Sequence, residues 1–134
     1  MKIFNSILSC IKSGNTVWEE TTSGLGKERI KRIYKSLPSN SNDFKPRVIK
    51  PDMAKFPVCN FIILNYNSPQ ETSKEIYFGW GYYEGGANKE VFKSNNKELI
   101  DFFMGYHNSL RENEISYTYD DAYENSLGLQ ENNN

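Results

Sequence analysis

Glu75-Ile-Tyr-Phe-Gly-Trp-Gly-Tyr-Tyr-Glu84 leads through Gly85-Gly86-Ala87-Asn88 into Glu90–Lys93, and then into Lys97–Arg111. In order these read as an aromatic strand, a hairpin connection, a short strand and an amphipathic helix. Within the first strand Ile76, Phe78, Trp80 and Tyr82 share one parity. Gly79 and Gly81 leave the other face nearly bare beside Tyr77 and Tyr83, and such a strip lets a helix, a ligand or another backbone come close. Tyr77, Gly79, Gly81 and Tyr83 are therefore the candidate site for a protein partner or small ligand. Asn95, with Glu98 three residues on, reads as a capping box. Leu99, Phe103, Tyr106 and Leu110 form the stripe that helix should bury, with Phe102 beside it. The expected core joins Phe61, Ile63, Phe78, Trp80, Phe103 and Leu110.

Upstream, Ile3, Phe4, Ile7, Leu8 and Ile11 recur at helical spacing and stop at Gly14. A loop with Trp18 and Glu19–Glu20 then leads to Ser23-Gly24-Leu25-Gly26. A second helix over 27–37 carries Ile30, Ile33, Tyr34 and Leu37 on one face and ends at Pro38. Arg47-Val48-Ile49 reads as a short strand fenced by Pro46 and Pro51, which suits a sheet edge. Val58–Leu64 is apolar enough for a central strand. No internal repeat occurs. The pattern predicts an α+β fold: a small, mostly antiparallel sheet with two N-terminal helices and one C-terminal helix packed on it. Residues 1–113 read as one domain and 114–134 as an acidic, largely flexible tail.

A chain of 134 residues with 14 % aromatics can bury one ordinary core. The net charge of −1 hides a division. Residues 27–55 hold nine bases against three acids, whereas 112–134 hold six acids and no base. The two halves can attract each other, or each can recruit a partner of opposite sign. Cys10 and Cys59 are too few for a disulfide framework or zinc site and read as reduced, buried thiols. Ile7-Leu8-Ser9-Cys10 resembles a lipoprotein cleavage site, but its apolar run is short and broken by Asn5 and Ser6. No stretch approaches the ~20 apolar residues of a membrane span. A cytoplasmic protein with no membrane partner is expected.

Catalytic groups are not evident. His107 is the single histidine, placed beside core Tyr106, where a boundary role is the plainer reading. Glu19–Glu20 and Asp120–Asp121 lack metal-ligand spacing, so neither metal nor cofactor is expected. Gly79-Trp80-Gly81 and Gly85-Gly86 are not phosphate loops, because no helix opens after them. One electrostatic feature remains. Lys27, Lys31 and Lys35 form an i, i+4 row that Arg29 and Arg32 widen, with Arg47 as an extension if its strand lies alongside. Lys27, Lys31, Arg32, Lys35 and Arg47 are thus the alternative, nucleic-acid-binding set, against the plainer reading of a solvated face.

The segment from Glu75 through Glu90-Val-Phe-Lys-Ser-Asn-Asn96 and Lys97-Glu-Leu-Ile-Asp-Phe-Phe103 to Leu110 resembles the C-terminal end of phospholipase D-like domains. More specifically, it is similar to catalytically inactive regulatory or effector-associated versions in bacteria. No His-x-Lys-x-x-x-x-Asp occurs in the chain, and His107 is followed by Asn108-Ser109, so no catalytic residue carries over. The resemblance implies a regulatory or interaction role. The expectation is a bacterial or phage-borne, non-enzymatic binding module. Its partner is a protein or small ligand, with nucleic acid as the alternative and self-assembly left open.

Overall fold

The computed structural model describes residues 2–38, 41–53, 60–79, 91–120 and 124, without the side chains of 2–4 and 25. Its elements run α1 (Lys2–Lys12), β1 (Trp18–Thr22), α2 (Lys27–Ser36), β2 (Phe44–Ile49), β3 (Asn60–Leu64), β4 (Glu75–Gly79), β5 (Phe92–Ser94), α3 (Lys97–Leu110) and β6 (Ser116–Thr118), with 3₁₀ turns at Gly24–Gly26 and Glu71–Ser73. The fold is α+β. Instead of one sheet, two three-stranded sheets form, ordered β1-β2-β6 and β3-β4-β5. The chain divides into two compact units, Met1–Ala54 with Leu110–Asn134, and Lys55–Ser109. Val58, Cys59, Trp80, Gly81, Tyr82, Tyr83 and the hairpin 85–88 lie outside the described residues.

In the first unit, α1 ends where expected. Gly14 takes a left-handed φ of 71° and donates its N–H to the Ile11 carbonyl at 3.1 Å. Trp18–Thr22, read as a loop, is instead a strand parallel to β2, with Trp18 opposite Phe44 and Thr22 opposite Val48. Its Trp and Thr residues suit a strand. The obstacle in the sequence is Glu20, which is buried because Arg29 and the Trp18 indole both donate to its carboxylate. A parallel pair needs a crossover, and α2 supplies it. Leu37 leaves the helix in an extended conformation (φ −98°, ψ 154°), as the residue before Pro38 must.

Alternation puts Phe44, Pro46 and Val48 on the face that meets α1 and α2. There Ile7, Ile11, Ile30, Ile33, Phe44, Val48 and Tyr119 form the core, with Tyr34 stacked on Tyr119 at 5.6 Å. Burying Ile30 and Ile33 completely is worth about 1.5–3 kcal/mol each.

The strand containing Pro46 is central, not an edge. The hydrogen bonds explain why. Lys50 donates to the Ile115 carbonyl and Tyr119 to the Pro46 carbonyl, so Pro46 and Tyr119 close the β2–β6 ladder. The donor that proline lacks would face β6 at that last rung, and the ladder to β1 keeps all of its own. β6 itself lies in the stretch read as tail. Its Ser116 is fully buried, and Tyr119 just beyond it joins the core.

In the second unit β4, rather than β3, is central, and both pairings are antiparallel. Phe61, Ile63, Ile76 and Phe78 face α3, where Ile76, Ile100 and Phe103 are buried. Phe103 packs 4.9 Å from Phe61 and 5.5 Å from Phe78. Two details of α3 depart from expectation. The cap is Asn96, whose side-chain carbonyl accepts the Leu99 N–H at 2.9 Å. Ile100, absent from the expected stripe, is buried beside Phe103, which that stripe included, while Phe102 is 67 % exposed. Leu110 is half-buried. No helix among the described residues is long and apolar enough to cross a membrane.

Candidate functional site

With one face of the second sheet closed by α3, its outer face carries the alternate residues. Ile62, Tyr77 and Lys93 lie side by side across three strands, flanked by the pairs Leu64–Glu75 and Asn60–Gly79. A solvent-facing side of an antiparallel sheet is ordinarily polar. Here Ile62 and Leu64 are 41 % and 40 % exposed, and Val91, one residue before Phe92, is 66 % exposed.

A polar cluster borders these aliphatics. Lys93 Nζ lies 2.9 Å from Glu75 Oε1 and 5.5 Å from the centre of the Tyr77 ring. The Tyr77 hydroxyl donates to Glu75 Oε2 at 3.1 Å. Hydrogen bonds from Lys93 and Tyr77 hold the Glu75 carboxyl below its ordinary range, and Glu75 in turn raises Lys93. The cluster is neutral as a whole and orients the Tyr77 ring. Of the four residues read from sequence as a binding strip, Tyr77 and Gly79 stand on this outer face, and Gly81 and Tyr83 lie outside the described residues.

The alternative set is divided by the structure. Lys27 Nζ sits 2.9 Å from Glu124 Oε2 and over the Tyr117 ring, and the Tyr117 hydroxyl donates to Glu124 Oε1 at 2.7 Å. Burial acts to lower the Lys27 pKa, but its hydrogen bonds to Tyr117 and Glu124 outweigh that and raise it. Burial pushes the Tyr117 hydroxyl up as well. Lys31, Arg32 and Lys35 have no ion-pair partner among the described residues.

Arg47 does not extend this row. It points from the sheet face opposite α2, and its guanidinium donates to Ser116 Oγ at 2.8 Å, Thr118 Oγ1 at 3.2 Å, Asn113 Oδ1 at 2.9 Å and the Ser116 carbonyl. Strand alternation is the reason. Arg111, which carried no role in the sequence reading, bonds the carbonyls of Glu20 and Lys45 and so bridges β1 to β2.

His107 is half-buried, edge-on to Phe61 and Tyr66. Cys10 is exposed rather than buried. Among the described residues no three His, Cys, Asp or Glu side chains gather as metal ligands. No family model, curated protein or solved structure matches the chain.

Proposed function

We propose that this protein is a non-catalytic interaction module that binds a protein partner on the outer face of its second sheet, around Ile62, Leu64, Tyr77 and Val91. One observation supports the reading: two aliphatic side chains, Ile62 and Leu64, stand in solvent on a face whose opposite side already has its helix, with exposed Val91 just before the third strand. Exposed apolar groups clustered beside polar ones are characteristic of contact surfaces. The Tyr77–Glu75–Lys93 cluster adds a ring with a polar tip, the combination favoured at interfaces. A three-stranded face suits a protein better than a small molecule, which needs concavity to bury most of its surface. The resemblance of residues 75–111 to inactive regulatory domains points the same way. The proposal also places the module in the cytoplasm, where an exposed thiol such as Cys10 stays reduced.

Photo-crosslinking tests this. A crosslinkable residue at position 62 in the host should give one dominant protein adduct, and Leu64→Asp with Tyr77→Ala should remove it. An adduct pattern no different from that of the same residue placed at exposed Asn5 would refute the assignment.

A further inference from the structure

A second surface lies on the first unit. Over ten positions α2 carries five basic residues and one acid, Glu28. Ile30 and Ile33 turn its apolar side into the core, which leaves charge alone on the outer side. Arg29 is held by buried Glu20. Lys27, Lys31 and Lys35 recur every four residues, advancing ~6 Å per step and ~12 Å over the row. A single phosphate cannot span that length, whereas a chain of phosphates can. A lipid surface fits less well, because interfacial helices insert an apolar face and this one is already buried.

The chain places its own anion on the row. Glu124 donates its N–H to the Asp120 carbonyl at 3.0 Å. One carboxylate oxygen takes Lys27 and the other takes the Tyr117 hydroxyl, so the group is fixed at the N-terminal end of the row. Its side chain is 14 % exposed against 35 % for Lys27, so the contact is partly shielded from salt. The six acids of 112–134 keep the local potential of this segment negative.

We propose that the Lys27–Lys31–Lys35 row binds the phosphate backbone of a nucleic acid, and that Glu124 is an intrachain competitor which holds the first lysine until nucleic acid displaces it. Binding is then weak while Glu124 holds Lys27 and tightens when that contact is broken. The row belongs to the first unit and the outer sheet face to the second, so failure of either assignment leaves the other standing.

Fluorescence anisotropy of labelled oligothymidylate and of a labelled duplex, titrated with the full chain at several salt concentrations, tests the proposal. Glu124→Gln should bind about fivefold more tightly, the scale of a partly exposed ion pair. Its plot of log affinity against log salt should steepen by about 0.7 on the single strand, the increment for one added phosphate contact. Tyr117→Phe keeps the ring under Lys27 but frees one carboxylate oxygen, and should shift affinity in the same direction. Adding Lys31→Gln and Lys35→Gln to Glu124→Gln should flatten the slope by about 1.4 while leaving the melting temperature unchanged. Absence of binding to either probe at low salt by wild type and Glu124→Gln alike overturns the proposal. So does equal affinity and slope for those two proteins, or indifference to the loss of both lysines. Binding to phosphatidylserine vesicles without nucleic-acid binding overturns it in favour of a membrane.

Discussion

At Gly26 a methyl group would have no room. A Cβ there would lie 2.1 Å from Thr22 Oγ1 and 2.8 Å from Thr22 Cβ. Thr22 is β-branched, stiff at χ1 and held in the ladder opposite Val48, so it cannot turn aside freely. Gly26→Ala should therefore cost about 1–3 kcal/mol. Gly24→Ala, which meets open space, should stay within about 0.5 kcal/mol. Urea denaturation of the two variants compares them directly, and equal midpoints would contradict the close approach. Lys27 gives a second prediction at this scale. Its pKa is raised above the ordinary 10.5 in the folded protein. A raised pKa means stabilisation that is complete below the unfolded value and fades as pH rises through the folded one. Wild type should thus exceed Glu124→Gln in stability at neutral pH, and the difference should shrink above pH 10.5. A difference that persists undiminished in alkali would show that the charge on Lys27 is not what holds Glu124.

Elements form where local signals agree and shift where tertiary contacts outvote them. The sequence marks the cap of α3 correctly to within one residue, because Asn95 and Asn96 are both good cap formers and pattern alone does not choose between them. The cap sets where the helix begins, whereas the apolar stripe sets which face is buried: Ile100 and Phe103 are buried and Phe102 is 67 % exposed. Phe103→Ala should cost about 3–5 kcal/mol, whereas Phe102→Ser should change stability by less than about 0.5 kcal/mol. Thermal melts of the two variants decide which ring the core needs, and the reverse order would contradict the burial of Phe103. Strand β1 was harder to read for a different reason. Glu20 on the inward parity looks like a solvated loop residue until Arg29, nine positions on, is seen to meet it. Likewise Pro46 looked like an edge signal because the rule concerns which donor is missing, and only the pairing partner shows that the missing donor falls at the end of a ladder.

At the scale of the whole molecule, helix periodicity was legible throughout, and parity separated Tyr77 and Gly79 from the Ile76 and Phe78 face but left open whether a helix or solvent met them. The division into two sheets was not, because it depends on long-range pairing between β2 and β6 across sixty-odd intervening residues. Composition also misled. Beyond Asn113 the chain is acidic and polar, yet Ser116 and Tyr119 are buried and Tyr117 lies partly against the same core. Two truncations separate these views. Ending the chain after Glu124 keeps β6 and the Lys27–Glu124 pair, and should leave the melting temperature close to that of wild type. Ending it after Asn113 removes Tyr117 and Tyr119 from the core and strips Arg47 of its Ser116 and Thr118 acceptors. Burial of two large aromatic side chains alone is worth more than about 3 kcal/mol, a large share of the stability of a small domain. Loss of the first unit's cooperative unfolding, followed by circular dichroism on heating, is therefore expected for the shorter chain. Melting of that chain at the wild-type temperature would return residues 114–119 to the status of a tail.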